Sequence, residues 1–215
     1  MDVVALLLAA GESERMGAPK ALLEWHGQPL LSHQLQQIQK SRARECVVVL
    51  GKDAAGLEGL VHAPMRPGWK ARPVYNPRHR EGKCASIQAG LAAIATPPTG
   101  ILVASVDQPL DFRLINALLA AAETEWERCD PAGRRPIIVP AFRGRPGHPP
   151  LFCASLFAEL MGVSEETHGL KAVVRRNPGR VLHLPWDDSG ILLNLNAPID
   201  LTAIDAWRAL HGRGT

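Results

Sequence analysis

The sequence is poor in aromatic rings: four Phe, five Trp and a single Tyr, Tyr75. A groove for single-stranded nucleic acid needs stacking rings interleaved with cations, so no nucleic-acid partner is expected. The charge balance is only slightly basic, with 24 Lys and Arg against 21 Asp and Glu, and argues neither for nor against a polyanion partner. Four cysteines are present, Cys46, Cys84, Cys129 and Cys153, but no Cys-x-x-Cys pair and no His cluster at zinc spacing. Reduced thiols in a cytoplasmic protein are the simplest account, and Cys46, inside an apolar run, reads as core. No stretch approaches the roughly 20 apolar residues of a membrane span. The run after the acidic start Met1-Asp2 is too short for a secretory leader, so no membrane partner is expected either. Two familiar phosphate-binding patterns are also missing: the Walker loop, and the Gly-x-Gly-x-x-Gly fingerprint. No repeat and no Gly- or Ser-rich linker divides the 215 residues, which suffice for one α/β domain with its own core.

What is there is concentrated near the start. Val3 to Leu8 is apolar and partly β-branched, and reads as a strand buried on both faces. It breaks at Ala9-Ala10-Gly11, and the loop that follows carries Arg15, Gly17, Pro19 and Lys20. Small residues let backbone N–H groups approach a phosphate, and the two cations supply charge. Seven further basic residues fall in two short segments: Arg78, Arg80 and Lys83, then Lys171, Arg175, Arg176 and Arg180. That grouping suits a local phosphate site better than a nucleic-acid stripe.

Strands and amphipathic helices alternate along the first 140 residues. Helices are predicted over 29–40, from a cap at Asp53 to about 61, over 84–95 and over 112–126. Strands are predicted at 46–50, 73–75, 100–106 and 136–139, with loops at 62–72 and 142–150 and a turn at 129–135. The pattern implies a mostly parallel sheet with helices on both faces. Further on, 154–161 and 170–176 read as helical, 181–184 and 191–195 as strands, and 198–211 as a closing helix. Ligands of such sheets sit at the carboxyl ends of the strands. The Gly11 loop and Asp107 both fall there, so they are expected to share one cleft.

Asp107 follows six mainly apolar residues and precedes Gln108-Pro109. A carboxylate in that position needs a partner: a divalent metal, a hydroxyl network or a basic side chain, or else loop amides or the N-terminus of the helix starting near Asp111. With an anion loop at the same sheet edge the metal is preferred. Mg²⁺ fits, because it takes one or two carboxylate-type oxygens and fills its shell with phosphate oxygens and water. Asn194 and Asn196 alternate onto one face; spacing alone favours a turn pair before Pro198. Asn76 and Ser86 either read a base or ribose or cap a helix. His148, in the stiff stretch Arg145-Pro-Gly-His-Pro-Pro150, is structural, exposed or in contact with an acceptor.

These residues together resemble a known family. Leu8-Ala9-Ala10-Gly11, with Ser13, Arg15, Met16, Gly17, Pro19 and Lys20, is similar to the signature of the nucleotidyltransferases that attach a nucleotide to molybdopterin. The nearest likeness is to the molybdenum cofactor cytidylyltransferases. The resemblance continues through Gly27-Gln-Pro-Leu-Leu31, Asn76, Gly82, Ser86, Gly90, Asp107-Gln-Pro-Leu110, Gly147-His-Pro149 and Asn194-Leu-Asn-Ala-Pro198. It implies a three-layer, Rossmann-like nucleotidyltransferase fold of glycosyltransferase-A type, with 1–140 as the nucleotide-binding half and 141–215 as the acceptor-binding half. It implies a nucleoside triphosphate on Leu8 to Lys20, with Ser13, Met16 and Gly17 in that loop and Arg15 and Lys20 on the phosphates. Asn76, Gly82 and Ser86 would lie along the base and ribose. Asp107 would ligate Mg²⁺ with Asn196 as a second ligand, and His148 would border a phosphate-bearing acceptor, molybdopterin. A molybdoenzyme or its chaperone would be the protein partner. Two features depart from the pattern. Gly82-Lys83 stands where the family often has Gly-Met, and Asn-x-Asn stands where it often has Asp-x-Asp. The second is more typical of guanylyl-transferring relatives, so CTP and GTP both stay open. A sugar-phosphate transferase of the same fold and a non-catalytic nucleotide-binding regulator are the other readings.

Overall fold

A buried strand, Val3–Ala9 (β1), forms the axis of the molecule, and each of its residues is shielded from solvent. The computed structural model describes residues 1–11, 19–63, 67–128 and 135–195. After β1 come the short strands β2 (Glu24–Trp25) and β3 (Gln28–Pro29), helix α1 (Leu30–Lys40), β4 (Glu45–Leu50), α2 (Ala54–Val61) and β5 (Lys70–Tyr75). Then follow α3 (Lys83–Ala92), β6 (Gly100–Ser105), α4 (Phe112–Glu127), β7 (Ile137–Phe142), β8 (Arg145–Pro146) and β9 (Leu151–Cys153). Helices α5 (Phe157–Met161) and α6 (Leu170–Arg176) and strand β10 (Val181–Pro185) complete the described elements.

The main sheet runs β10-β7-β9-β6-β1-β4-β5, with β8 beside β7. β1 pairs parallel with both β4 and β6, β4 with β5, and β7 with β10. Among the described residues of this sheet, only β9, against β6 and β7, and β8, against β7, run antiparallel. This is an α/β fold with a mostly parallel sheet. The chain leaves β1 toward β4 and β5, then crosses to β6 on the other side. That reversal opens a crevice at the carboxyl ends of β1, β4 and β6.

The helices seat by their apolar stripes. α1 buries Leu31, Leu35 and Ile38, and Gln34 lies on the same face with no solvent exposure. α4 is capped by Asp111, whose carboxylate accepts from the Arg113 backbone N–H at 2.8 Å. That role, expected as one option for Asp107, belongs to Asp111.

Several boundaries differ from the sequence reading, each for a local reason. β5 begins at Lys70 rather than 73: its backbone pairs from Glu45↔Lys70 onward. It is an edge strand, half-exposed and carrying Arg72-Pro73, so it gives no apolar run. The loop expected over 142–150 holds the strand β8, and the three-residue β9 follows it. Asp53 occupies the N-cap position of α2 but makes no side-chain cap bond. The strand expected at 191–195 is instead a 3₁₀ turn over Ser189–Leu192. Asp188 starts that turn by accepting from Gly190 N–H at 2.7 Å, and the Ile191 carbonyl accepts from His148 N–H at 2.9 Å. These bonds curl the segment across the crevice instead of laying it into the ladder. The predicted helix at 198–211 and most of the turn at 129–135 lie outside the described residues.

Candidate active site

Three strand ends build the site. β1 delivers Ala10, buried, and Gly11, open to solvent. β4 delivers Gly51, where a Cβ would lie 2.5 Å from the Ala10 carbonyl oxygen, so the two loops meet backbone to backbone. β6 delivers Asp107. Lys20 starts a short 3₁₀ turn and returns its ammonium to 3.4 Å from Asp107 Oδ2; each side chain is 20% exposed. The Gly11 loop, Lys20 and Asp107 therefore face one crevice.

The Asp107 loop is held from both sides. The Gln34 amide donates to the carbonyls of Val106 at 3.0 Å and Gln108 at 2.7 Å, and its Oε1 accepts from Leu110 N–H at 2.9 Å. On the other flank Leu195 N–H donates to the Asp107 carbonyl at 2.9 Å, and Gln108 Nε2 donates to Asn194 Oδ1 at 2.7 Å. Asn194 thus fixes this loop. The carboxylate itself is less provided for: Asp107 Oδ1 is buried without a hydrogen-bond partner among the described residues. A buried acceptor left so is costly unless something else fills it. Among the described residues no cluster of three or more His, Cys, Asp or Glu could hold a metal by itself. One orphaned carboxylate oxygen fits Mg²⁺, which draws most of its shell from phosphate and water.

Two cavities share a wall made of Leu8, Ala10, Gly11, Ser105 and Asp107. The smaller, about 80 Å³, is closed by Lys20 and Gly51. The larger, about 370 Å³, is closed by Gly82, Lys83, Ser86 and Arg80. Ser86 reaches this wall, whereas Asn76 stands behind it. The Asn76 amide donates to Ser86 Oγ at 3.0 Å, and its oxygen accepts from Arg78 N–H at 2.9 Å. Gly82, with φ of 107°, sits ahead of α3 in a conformation that favours glycine, and a Cβ there would lie 2.5 Å from Glu165 Oε1. That carboxylate accepts from Cys84 N–H at 2.7 Å, in the first turn of α3.

A third cleft of about 720 Å³ opens beside these, with His148 on its wall. Lys83, Lys171 and Arg175 give it positive charge, while Val139, Phe152 and Leu170 give it apolar surface. Burial, and then Lys83, push the His148 pKa down to about 4, so the ring is neutral at pH 7. Burial also lowers the Lys83 pKa, opposed by Asp107 and Glu165.

Of the residues singled out from sequence, Leu8, Ala9, Ala10, Gly11, Lys20, Gly82, Ser86 and Asp107 line the first two cavities and His148 the third. Ser13, Arg15, Met16, Gly17 and Asn196 lie outside the described residues. Sequence reasoning passed over Gln34, Gly51 and Glu165 as site residues. Gln34 left a signal: a polar residue on the apolar stripe of Leu31, Leu35 and Ile38. Gly51 and Glu165 act through distant backbone contacts and left none.

Residues 5–181 match the family described as the MobA-like NTP transferase domain. Over 121 residues the chain is 36% identical to the molybdenum cofactor guanylyltransferase of Xanthomonas euvesicatoria pv. vesicatoria, covering 55% of this chain and 54% of that protein. The chain thus spans about half the length of this curated relative. The purine catabolism protein PucB of Bacillus subtilis is 26% identical over 202 residues, covering 91% of this chain and 92% of that protein. A nucleotidyl transferase from Methanothermobacter superposes with a TM-score of 0.77 at 21% identity, covering 97% of this chain and 99% of the other. Rv0371c of Mycobacterium tuberculosis, in a complex with manganese, superposes with a TM-score of 0.71 at 21% identity, covering 95% and 98%. At those identities the structural likeness speaks for the fold. Among the described residues no helix is long and apolar enough to cross a membrane.

Proposed function

The chain belongs to the MobA-like NTP transferase family, and we propose that it transfers CMP or GMP from the triphosphate to the phosphate of a molybdopterin-class acceptor. In that reaction an acceptor phosphate oxygen attacks the α-phosphorus. A new P–O–P bond forms, the bond to the β-phosphate breaks, and pyrophosphate leaves. A phosphate monoester is already ionised at pH 7, so the reaction needs no strong general base. Alignment and charge neutralisation carry it.

One observation carries this reading. Just past the carboxyl end of β6, Asp107 faces Lys20 with one carboxylate oxygen unpartnered among the described residues, on a wall common to two cavities. We assign the triphosphate to the Leu8–Gly11 edge, with Arg15 and Lys20 on its phosphates and Ser13, Met16 and Gly17 in the same loop. A cation about 4 Å from a phosphate oxygen contributes on the order of 4 kcal/mol at an effective dielectric of 20. Ser86, braced by Asn76, lies toward base and ribose beside Gly82. Asp107, with Asn196, would hold Mg²⁺, which when bound neutralises charge on the phosphate oxygens. His148, neutral at pH 7, borders the acceptor, so the nucleotide half at 1–140 and the acceptor half at 141–215 work as one unit.

The test is pyrophosphate release with CTP, GTP, UTP and ATP and Mg²⁺, each alone, with molybdenum cofactor and with a sugar phosphate. Release that requires CTP or GTP together with the cofactor is expected. Release with a sugar phosphate instead would move the chain to another acceptor class. Triphosphate binding with no release under any pairing would make it a regulator.

A further inference from the structure

We infer that Lys83 is a catalytic residue that holds the acceptor's phosphate against the nucleotide's α-phosphate. The inference rests on the transfer reaction proposed above and adds to it a residue that the signature does not supply, since the family often has Met at this position. Among the described residues, Lys83 is the single one on the walls of both the 370 Å³ cavity and the 720 Å³ cleft.

The base of that side chain is fixed. Lys83 opens α3 directly after Gly82, and the next N–H, that of Cys84, is held by Glu165 at 2.7 Å. Its charge environment spans both spaces. Asp107, Glu165, Cys84 and Lys20 are near enough to bias it, and His148 on the cleft side feels its charge. Among the described residues, the Lys and Arg side chains on the cleft wall are Lys83, Lys171 and Arg175. Of these, Lys83 alone also fronts Asp107.

Two phosphates that must come within bonding distance repel each other. An ammonium has three donors, enough to bond an oxygen of each at once and to offset their charge. Met in that place would offer neither. The acceptor this arrangement selects carries a phosphate at one end and an apolar body on Val139, Phe152 and Leu170.

The experiment compares wild type, Lys83→Met and Lys83→Arg, all checked for equal thermal midpoints. Steady-state pyrophosphate release is measured against varied molybdenum cofactor at saturating nucleotide. Lys83→Met is expected to lower kcat/KM for the acceptor by roughly 10- to 100-fold, as for loss of a hydrogen bond to a charged group. Nucleotide affinity, read separately by thermal shift with CTP and GTP, should weaken as well, since Lys83 also bonds the α-phosphate, and Lys83→Arg should restore part of the rate. Acceptor kcat/KM within 3-fold of wild type in Lys83→Met would overturn the assignment. A second readout does not need turnover: equilibrium binding of riboflavin 5′-phosphate, an alkyl phosphate monoester that carries a fused ring system at its other end. Wild type should bind it and Lys83→Met should bind it about 10-fold more weakly. Equal binding by both, or none by wild type, counts against Lys83. A wild type that binds the monoester in this way yet never releases pyrophosphate sinks the transfer reaction and leaves the role of Lys83 in phosphate binding intact.

Discussion

Gln34 is tied to Gln108: its side-chain amide donates to the Gln108 carbonyl at 2.7 Å from a fully buried place on α1. The same side chain bonds Val106 and Leu110, so one residue satisfies three backbone groups around Asp107. Gln34→Leu keeps a similar volume but leaves those groups unpaired. Each buried unpaired group costs roughly 1–3 kcal/mol, and the loop relaxes in part, so a loss of about 3 kcal/mol is expected. Urea unfolding measures it. A loss below 1 kcal/mol would mean that water replaces Gln34 and that the loop does not depend on it.

Asp107→Asn should separate stability from function. Its pairing with Lys20 is partly exposed, and such pairs contribute little. The orphaned oxygen is itself a cost in the folded state. The variant should thus unfold within about 1 kcal/mol of wild type, while pyrophosphate release falls by at least ~10²-fold, as for a preorganised electrostatic group. Release at the wild-type rate would remove Asp107 from the metal site. A large loss of stability would make it a structural residue.

The first half of the fold was legible in the sequence because buried parallel strands are continuous apolar runs. Val3–Ala9, Cys46–Leu50 and Gly100–Ser105 could scarcely be read otherwise, and the helices between them kept a 3.6-residue period. The later half hid its strands for physical reasons. β9 is three residues long, below any detectable period, and β8 is two. The 189–192 turn starts on a local bond from Gly190 N–H to Asp188, but it is His148, from far away in the chain, that holds the Ile191 carbonyl, a contact that a local pattern does not encode. The same division holds for the site. Asp107 follows the end of β6 and Lys20 belongs to the loop after β1, so a local reading finds both, whereas Gln34, Gly51 and Glu165 matter through partners far away in the chain.

Gly51→Ala tests the backbone contact between the β1 and β4 loops. Gly51 has no positive φ, so the added methyl meets only space, and that space is taken by the Ala10 carbonyl oxygen at 2.5 Å. Neither atom belongs to a flexible side chain, so one loop must shift. Overpacking of this kind costs typically about 1–3 kcal/mol. Because Ala10 also walls the site, triphosphate affinity, read by thermal shift with CTP and GTP, should weaken alongside. Loss of stability with unchanged nucleotide affinity would separate Ala10 from the phosphate site.

Two histidines contribute to the acid limb of stability. His33 on α1 and His148 both have pKa values pushed down to about 4. Burial is the main cause for each, followed by His26 for His33 and by Lys83 for His148. The folded protein keeps both rings neutral down to about pH 4, whereas an unfolded chain protonates them near pH 6.5. Between those values the unfolded state binds more protons, so stability falls as pH drops and is fully present above about 6.5. One such group gives a slope of up to about 1.4 kcal/mol per pH unit. His33→Phe cannot titrate and still packs beside Trp25, whose ring lies 6.1 Å from that of His33. It should flatten the urea-midpoint profile between pH 4.5 and 6.5 by up to about one proton's slope while changing little at pH 8. An unchanged profile would mean that His33 carries its proton in the folded state, against the burial seen on α1.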